Sequence, residues 1–231
     1  EFIGTTNAGT YGDYGSELDS HIGQILNTLD SLGQAENTII LFASDNGSQF
    51  ERTGNHIDNV NPTNNLVDVQ GKSQNSNEHH PNGNLRGSKW TIWEGGVRTP
   101  FIAKWPDKIP AGIKSDKIFA LNDLIGTISS IIGFNLPEGE AIDSYDQFPN
   151  LKGEEKNIRE SVVVQSSNNR MGIRKGNWKY IESDNDGLEG ELYNLLEDES
   201  ESKNLINENS DLAAELRKEL RTIISETVTE K

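Results

Sequence analysis

The sequence predicts an α/β fold that is followed by a small antiparallel sheet and a closing helix. Three observations support this prediction. An amphipathic helical pattern precedes a continuous apolar run of strand length, a second helical pattern follows farther along the chain, and a series of short strand patterns precedes a helical tail.

The first element is an amphipathic helix. Apolar residues recur at helical spacing between Asp13 and Leu32, and Gly33 follows as an expected C-cap. After a short polar turn, residues 38–44 form a continuous apolar and β-branched run, which is typical of a strand buried on both faces. A helix followed by such a strand indicates an α/β sheet.

A long polar loop and a second helix come next. Residues 47–87 are rich in Asn and Gly, and a connection of this length is usually functional or disordered. Residues 100–105 predict another short strand, and the apolar positions within residues 118–131 predict a helix that ends at Gly133. The polar stretch 135–160 predicts a linking loop.

The last third of the chain has the pattern of a small antiparallel sheet. Short strands separated by tight turns are predicted at residues 161–165, 171–174, 178–181 and 191–193. Apolar residues at helical spacing between Ser210 and Val228 predict a closing helix. We therefore divide the chain into part of an α/β core (1–134), a linking loop (135–160) and a small C-terminal subdomain (161–231).

The composition excludes several classes of function. The 231 residues have a formal net charge of -16 at pH 7, so most of the surface repels a phosphate backbone and we do not expect nucleic acid as a partner. There are no cysteines, which excludes disulfides, thiolate metal sites and a cysteine nucleophile within these residues. No run approaches the ~18 apolar residues of a membrane span, so none is expected.

The first candidate site is the tripeptide Asp45-Asn46-Gly47, directly after the predicted buried strand. Ligands of open α/β sheets bind beyond the carboxyl ends of strands. A carboxylate beside an amide carbonyl supplies two hard oxygen ligands, which suits Ca²⁺ or Mg²⁺, and Gly47 permits a sharp turn. The same tripeptide is also a common turn sequence, so a plain turn is the alternative.

The second candidate site lies within residues 84–101, which concentrate the cations Arg86, Lys89 and Arg98 in an otherwise acidic chain. A lysine can reach a tetrahedral oxyanion with three donors, whereas an arginine binds bidentately or supports a carboxylate such as Glu94. The alternative is a surface loop with ordinary ion pairs.

Together and in this order, these motifs resemble the sulfatase family of the alkaline-phosphatase-like fold. The resemblance rests on Ser44-Asp-Asn-Gly47, on Leu85-Arg-Gly-Ser-Lys89 and on Trp93-Glu-Gly-Gly-Val-Arg98. Gly172-Ile-Arg-Lys-Gly-Asn-Trp-Lys179 and Glu191-Leu-Tyr-Asn-Leu195 are similar to the small C-terminal subdomain of that family. The resemblance covers nearly the whole chain, and it implies a mixed sheet flanked by helices, of which these residues form an incomplete part.

The resemblance also implies roles for individual residues. Asp45 and Asn46 would be Ca²⁺ ligands, and Lys89 would contact the sulfate as a catalytic residue. His79 or His80 lies where some family members place a histidine near the substrate, and a histidine could protonate a leaving alcohol at neutral pH. The alternative for both histidines is an exposed loop position.

Two departures from the family pattern limit what these residues can do. The family nucleophile is a formylglycine made from the first residue of a Cys/Ser-x-Pro-x-Arg motif, and no such motif occurs here. The further metal aspartates of the family's amino-terminal half are also missing, so we expect the C-terminal part of a sulfatase that is inactive by itself. Gln165 lies near where related sequences often have a substrate-side histidine, which leaves the sugar specificity open.

A sulfated carbohydrate is the expected substrate, because the extended loop from Ser48 to Asn84 could line a cleft with Asn and His donors. The resemblance to this family implies a periplasmic or secreted location, where Ca²⁺ is available. One alternative is a phosphatase or phosphonate-ester hydrolase of the same fold. Another is a non-catalytic module that binds sulfated glycans through the Asn-rich loop.

Overall fold

The chain, described here from a computed structural model, forms two compact units, Glu1–Asp107 and Lys108–Lys231. The described residues are 1–6, 9–48, 81–183 and 189–229. Among them, no helix combines the length and the apolar character that crossing a bilayer requires. The predicted three-part division, with boundaries at residues 134 and 160, stays a prediction.

The first unit contains a long helix and a two-stranded sheet. Helix α1 spans Gly9–Ser31, and Gly33 follows with φ 66°, the left-handed conformation expected of a C-terminal cap. Strands β1 (Ile40–Ala43) and β2 (Phe101–Lys104) pair antiparallel, with Ile40 opposite Lys104 and Ala43 opposite Phe101. A short helix, α2 (Glu94–Val97), lies between them in sequence. The predicted first helix and both predicted strands are therefore present.

Strand β1 is shorter and less buried than predicted. The apolar run 38–44 predicts a strand buried on both faces, but β1 comprises four residues, of which three are half-buried and Ala43 is exposed. Within the described part of the chain, β2 is its only strand neighbour. A continuous apolar run predicts a strand that is buried on both faces. The described residues do not cover both faces of β1.

The predicted apolar face of α1 is also open. Leu18, Ile25 and Leu32 are 42%, 58% and 63% exposed although they recur at helical spacing. In the second unit, the apolar residues Ile125, Ile128 and Ile132 of the next long helix are exposed in the same way. A contiguous apolar stripe outside a core is typical of a surface that packs against further polypeptide.

The second unit begins with helix α3 (Asp123–Ile132), which Gly133 ends in the left-handed conformation by donating its N–H to the carbonyls of Ser129 and Ser130. The C-cap is as predicted, but the helix begins later than the predicted position 118. A turn precedes it, because the Asp123 carboxylate accepts the N–H of Ala120 at 3.0 Å and its own N–H bonds back to the Ala120 carbonyl. This closed turn ends where the helix begins, so the helix does not extend back to residue 118.

The segment predicted as a linking loop contains a short helix and a polar network. Helix α4 spans Phe148–Leu151. Ahead of it, the Ser144 hydroxyl donates to the carbonyl of Asn122 and accepts the N–H of Gly126, at 2.6 and 2.8 Å. The Gln147 N–H donates to the Thr127 hydroxyl at 3.0 Å. These contacts hold the segment on α3, so it is more ordered than a plain connection.

The C-terminal sheet and helix form as predicted. Strands β3 (Ser161–Gln165), β4 (Met171–Lys175), β5 (Trp178–Ile181) and β6 (Glu191–Asn194) pair antiparallel in chain order. Helix α5 (Ser210–Thr229) packs on one face of this sheet. The core that it closes consists mainly of Ile173, Tyr180 and Leu192 from the sheet, Ile206 from the connection, and Ala213, Leu216 and Leu220 from the helix. Each fully buried leucine contributes about 1.5–3 kcal/mol.

The opposite face of this sheet contains a buried ion pair. Lys179 alternates with Tyr180 along β5, so its side chain points away from α5. Its Nζ lies 2.9 Å from Oε1 of Glu201, and the two side chains are 1% and 0% exposed. Because Glu201 follows β6 and Lys179 lies on β5, the pair holds the connection after β6 on the sheet. Loss of either partner alone would leave an uncompensated buried charge.

Candidate functional site

Two segments that are far apart in sequence lie in backbone contact within the first unit. The N–H of Gly47 donates to the carbonyl of Gly96 at 2.9 Å, and the N–H of Lys89 donates to the carbonyl of Ser48 at 2.9 Å. The turn that follows β1 is therefore fixed against the segment that contains Lys89. The structure brings together the two segments that the sequence singles out as candidate sites.

Three glycines permit the close packing within and between these two segments. A Cβ atom at Gly47 would lie 1.7 Å from the carbonyl oxygen of Gly95, and a Cβ at Gly95 would lie 2.2 Å from that of Gly87. A Cβ at Gly96 would lie 2.3 Å from the carbonyl oxygen of Thr91. Backbone atoms cannot yield at such distances, so a larger residue at Gly47 would separate the two segments, and one at Gly95 or Gly96 would disrupt the Lys89 segment itself.

Asn82 connects the same two segments through its side chain. Its Oδ1 accepts the N–H of Ser48 at 2.8 Å, and its Nδ2 donates to the carbonyl of Gly87 at 3.1 Å. No sequence motif marks Asn82 as a site residue. Its only local signal is the Asn-Gly pair that it forms with Gly83, and this pair also marks ordinary turns.

The turn after β1 presents two oxygen donors. The Oδ1 atom of Asn46 is buried and has no hydrogen-bond partner in the described part of the chain, while the neighbouring Asp45 is exposed. The Ser44 hydroxyl donates to the Asn46 carbonyl at 2.8 Å, which holds the turn. A buried amide oxygen without a donor is suited to accept a cation, and a carboxylate beside it suits a hard divalent ion. The donor pair therefore fits the predicted calcium ligands.

No larger metal cluster is formed by the described residues. Nowhere among them do three or more histidine, aspartate or glutamate side chains converge in a way that could hold a metal ion. His79 and His80, the predicted substrate-side histidines, lie outside the described residues. Asp45 and Asn46 are thus the metal-site candidates that the structure describes.

Lys89 lies beside an aromatic residue in an unusual backbone conformation. Its Nζ is 5.5 Å from the ring centroid of Trp90, which has φ 79° and is 40% exposed. The left-handed region costs an L-residue roughly 1–2 kcal/mol, and such strain is concentrated at functional sites. In the same segment, the Arg86 guanidinium lies 4.0 Å from the ring centroid of Trp93. Cations and exposed aromatic surface are thus held together here.

Glu94 and Gln165 lie in different surroundings. Glu94 opens α2 and is buried, and its carbonyl accepts the N–H of Arg98 at 2.8 Å. Gln165 ends β3, is exposed, and donates from Nε2 to Oδ1 of Asn169 at 3.0 Å.

Comparison with known proteins finds two family models on this chain. Residues 4–134 match the model described as Sulfatase, and residues 88–227 match the model described as N-sulphoglucosamine sulphohydrolase, C-terminal. The first match includes both segments of the candidate site, and the second extends through the C-terminal sheet and α5.

Individual relatives agree with the family models. The chain is 34% identical over 235 residues to the N-acetylgalactosamine-6-O-sulfatase of Bacteroides thetaiotaomicron. This alignment covers 96% of this chain and 43% of that protein. It is 37% identical over 153 residues to human steryl-sulfatase, covering 66% of this chain and 23% of that protein. A solved Bacteroides thetaiotaomicron structure, described under the metabolism of multiple glycosaminoglycans, superposes with a TM-score of 0.80 at 34% identity. That superposition covers 96% of this chain and 46% of the other.

These matches confirm the predicted fold class and the predicted resemblance. The chain spans less than half the length of each of these proteins. The part of the family that it corresponds to holds the turn after β1, the Lys89 segment and the C-terminal subdomain.

Proposed function

This chain belongs to the sulfatase family, and on that premise we propose that it is the carboxyl-terminal part of an enzyme that hydrolyses sulfate esters of carbohydrates. The observation that supports this most is the backbone contact between the Asp45-Asn46 turn and the Lys89 segment. It joins the turn that carries two oxygen donors to the segment that carries Lys89, and oxygen donors with a cation are a combination suited to a metal-bound oxyanion.

We propose that Asp45 and Asn46 are ligands of Ca²⁺. When bound, the ion would polarise the sulfate oxygens as a Lewis acid. The buried Asn46 Oδ1 supports this, since a metal would give that atom the partner that the described residues do not provide. Asp45 would supply negative charge next to it, and Ser44 would keep the turn in place through its bond to the Asn46 carbonyl.

Lys89 would bind and orient the sulfate group. Its ammonium has three donors and can contact more than one oxygen of a tetrahedral anion. The bond from its N–H to the Ser48 carbonyl fixes its backbone relative to the metal-ligand turn. A preorganised donor of this kind stabilises the charge of the transition state without reorganisation. His79 or His80 would protonate the leaving alcohol.

We also propose that the nucleophile is a formylglycine contributed by further polypeptide. The 231 residues contain neither a cysteine nor a Cys/Ser-x-Pro-x-Arg sequence, so no residue here is a candidate for it. These residues alone would then not turn over sulfate esters. We propose that the protein is periplasmic or secreted, because Ca²⁺ is available there.

A carbohydrate substrate is favoured by the extent of the matches. The similarity to the N-acetylgalactosamine-6-O-sulfatase extends over 96% of this chain, including the C-terminal subdomain, whereas that to steryl-sulfatase extends over 66%. Sequence features of the C-terminal sheet and helix are therefore shared with a sugar sulfatase. This supports the class of substrate and leaves the particular ester open.

The test is a comparison of substrates with the full-length protein. Hydrolysis of 6-sulfated N-acetylgalactosamine, an aryl sulfate and an aryl phosphate would be measured side by side in calcium. We expect the highest kcat/KM with the sulfated sugar. Preference for the aryl phosphate would favour the alternative of a phosphatase or phosphonate-ester hydrolase. Binding of the sulfated sugar without any turnover would favour a non-catalytic glycan-binding module.

A further inference from the structure

A cavity of about 610 Å³ lies along one flank of α5 in the second unit. Its floor is buried and includes Tyr180, Ile206 and Ala213, which are 3%, 8% and 5% exposed. Gly190 permits the tight packing of this floor, because a Cβ there would lie 2.1 Å from the Ile181 carbonyl oxygen and 3.1 Å from the Tyr180 hydroxyl. The cavity is thus built into the core of the subdomain.

The hydroxyl of Tyr180 is an unused polar group at this floor. Tyr180 lines the cavity, and its hydroxyl makes no hydrogen bond with any described residue. Burial raises the pKa of Tyr180, so the hydroxyl keeps its proton at neutral pH and can donate it in a hydrogen bond. A hydroxyl that lines a cavity and has no partner among the described residues is available to donate to a bound acceptor.

The rim of the cavity is cationic although the chain is strongly acidic. Arg217, Lys218 and Arg221 line it, and among the described residues Glu189 is the one carboxylate in the lining. Arg221 pairs with Glu182, from its Nε to Oε1 at 3.0 Å. Arg217 and Lys218 have no ion-pair partner in the described part of the chain. Two exposed cations therefore line the same cavity as the Tyr180 hydroxyl and are available for an anion.

We propose that this cavity binds an acidic saccharide, with one anionic group held by Arg217, Lys218 and the Tyr180 hydroxyl. An arginine beside a lysine suits the oxygens of a sulfate or carboxylate group, and the hydroxyls of Ser210 and Thr222, which also line the cavity, suit sugar hydroxyls. The formal charge of -16 repels an extended polyanion, so a short ligand fits best. The choice of a saccharide rests on the proposed function, whereas the anion site does not.

Acetylation of lysines in the full-length protein tests the site. Lys218 and, as an internal control, the exposed Lys203 would be labelled with an acetylating reagent and quantified by mass spectrometry. The probes are a 6-sulfated disaccharide, its desulfated form, a uronic-acid disaccharide and sodium sulfate. We expect the sulfated or the uronic-acid disaccharide to protect Lys218 at concentrations that leave Lys203 unchanged, and the more protective of the two identifies the anionic group.

Arg217→Gln should raise the concentration of the disaccharide needed for protection about tenfold, because one charge-assisted hydrogen bond is lost. The matched variant Lys203→Gln removes the same charge elsewhere in the subdomain and should leave protection unchanged. Equal protection by the desulfated disaccharide, equal protection by free sulfate, or no protection of Lys218 would overturn the proposal. Lys89→Ala should keep the protection of Lys218 while it lowers turnover, which separates this site from the proposed active site.

Discussion

The guanidinium of Arg159 and the carboxylate of Asp123 form a buried ion pair at the start of α3. Nη2 and Nε of Arg159 donate to Oδ1 and Oδ2 of Asp123 at 2.6 and 3.0 Å, and the side chains are 7% and 0% exposed. Asp123 also accepts the N–H groups of Ala120 and Tyr145, at 3.0 Å each. The pair ties the first residue of α3 to the segment that leads into β3.

Asp123→Asn should strongly destabilise the protein. The change leaves the Arg159 charge buried without its counter-charge, for which the expected cost is about 3–5 kcal/mol in the free energy of unfolding. Urea unfolding of the full-length protein measures it. Lys152→Gln, which removes a cation from an exposed pair with Glu154, is the control and should have little effect. A similar small effect of both variants would show that the buried pair is not important for stability.

The same pair predicts a loss of stability in acid. Burial raises the pKa of Asp123, but the hydrogen bonds from Arg159, Ala120 and Tyr145 outweigh it and hold the pKa below its usual 3.8. The unfolded chain therefore takes up this proton at a higher pH than the folded one. The stabilisation is fully present above about pH 5 and is lost as the pH falls through about 4 towards the folded pKa.

Measuring the unfolding free energy of the wild type and of Asp123→Asn between pH 7 and pH 3 checks this sign. The difference between the two proteins should shrink as the pH falls, because the wild type alone loses the contribution of the ionised carboxylate. A difference that stays constant over this range would contradict the depressed pKa.

Gly47→Ala should disturb the site that Gly23→Ala leaves intact. A methyl group at position 47 would collide with the Gly95 carbonyl oxygen, whereas nothing lies within 4 Å of a Cβ at Gly23 in the middle of α1. We expect Gly47→Ala to cost about 1–3 kcal/mol in unfolding free energy and Gly23→Ala to add about 0.5–1 kcal/mol. Chemical unfolding of both variants decides this, and a stable Gly47→Ala protein would argue against the tight contact.

Asn46→Ala should weaken calcium binding. Removal of a direct ligand should raise the calcium concentration that gives half of the maximal thermal stabilisation by about tenfold or more, since even outer-sphere partners contribute 10–100-fold. Asn84→Ala, at an exposed position in the partner segment, is the matched control. Differential scanning calorimetry against added calcium provides the readout. Unchanged calcium dependence in Asn46→Ala would remove Asn46 from the metal site.

Periodicity predicted the elements whose own residues form a core. Helix α5 and strands β3 to β6 lie where their patterns predict, because Leu216 and Leu220 pack on Ile173 and Leu192 within one subdomain. The pattern in α1 predicted which side chains share a face, yet Leu18 is exposed, because a pattern does not specify what covers that face.

Pairwise contacts over long sequence separations could not be predicted in this way. The link from Asn82 to Ser48 and the pair of Asp123 with Arg159 join residues 34 and 36 positions apart, and single polar residues in loops give no periodic signal. The candidate site could be predicted from the sequence through Asp45, Asn46 and Lys89, because these residues lie in short motifs. Its architecture depends on backbone contacts that only the fold creates.

Kinetics of Lys89→Ala in the full-length protein test the central claim most directly. Hydrolysis of 6-sulfated N-acetylgalactosamine in calcium would be compared for the wild type, Lys89→Ala and the exposed control Lys203→Ala. If Lys89 binds the sulfate beside the Asp45-Asn46 turn, its loss should lower kcat by about 10²–10³-fold, while Lys203→Ala should keep the wild-type rate. Wild-type turnover in Lys89→Ala would contradict the proposed site.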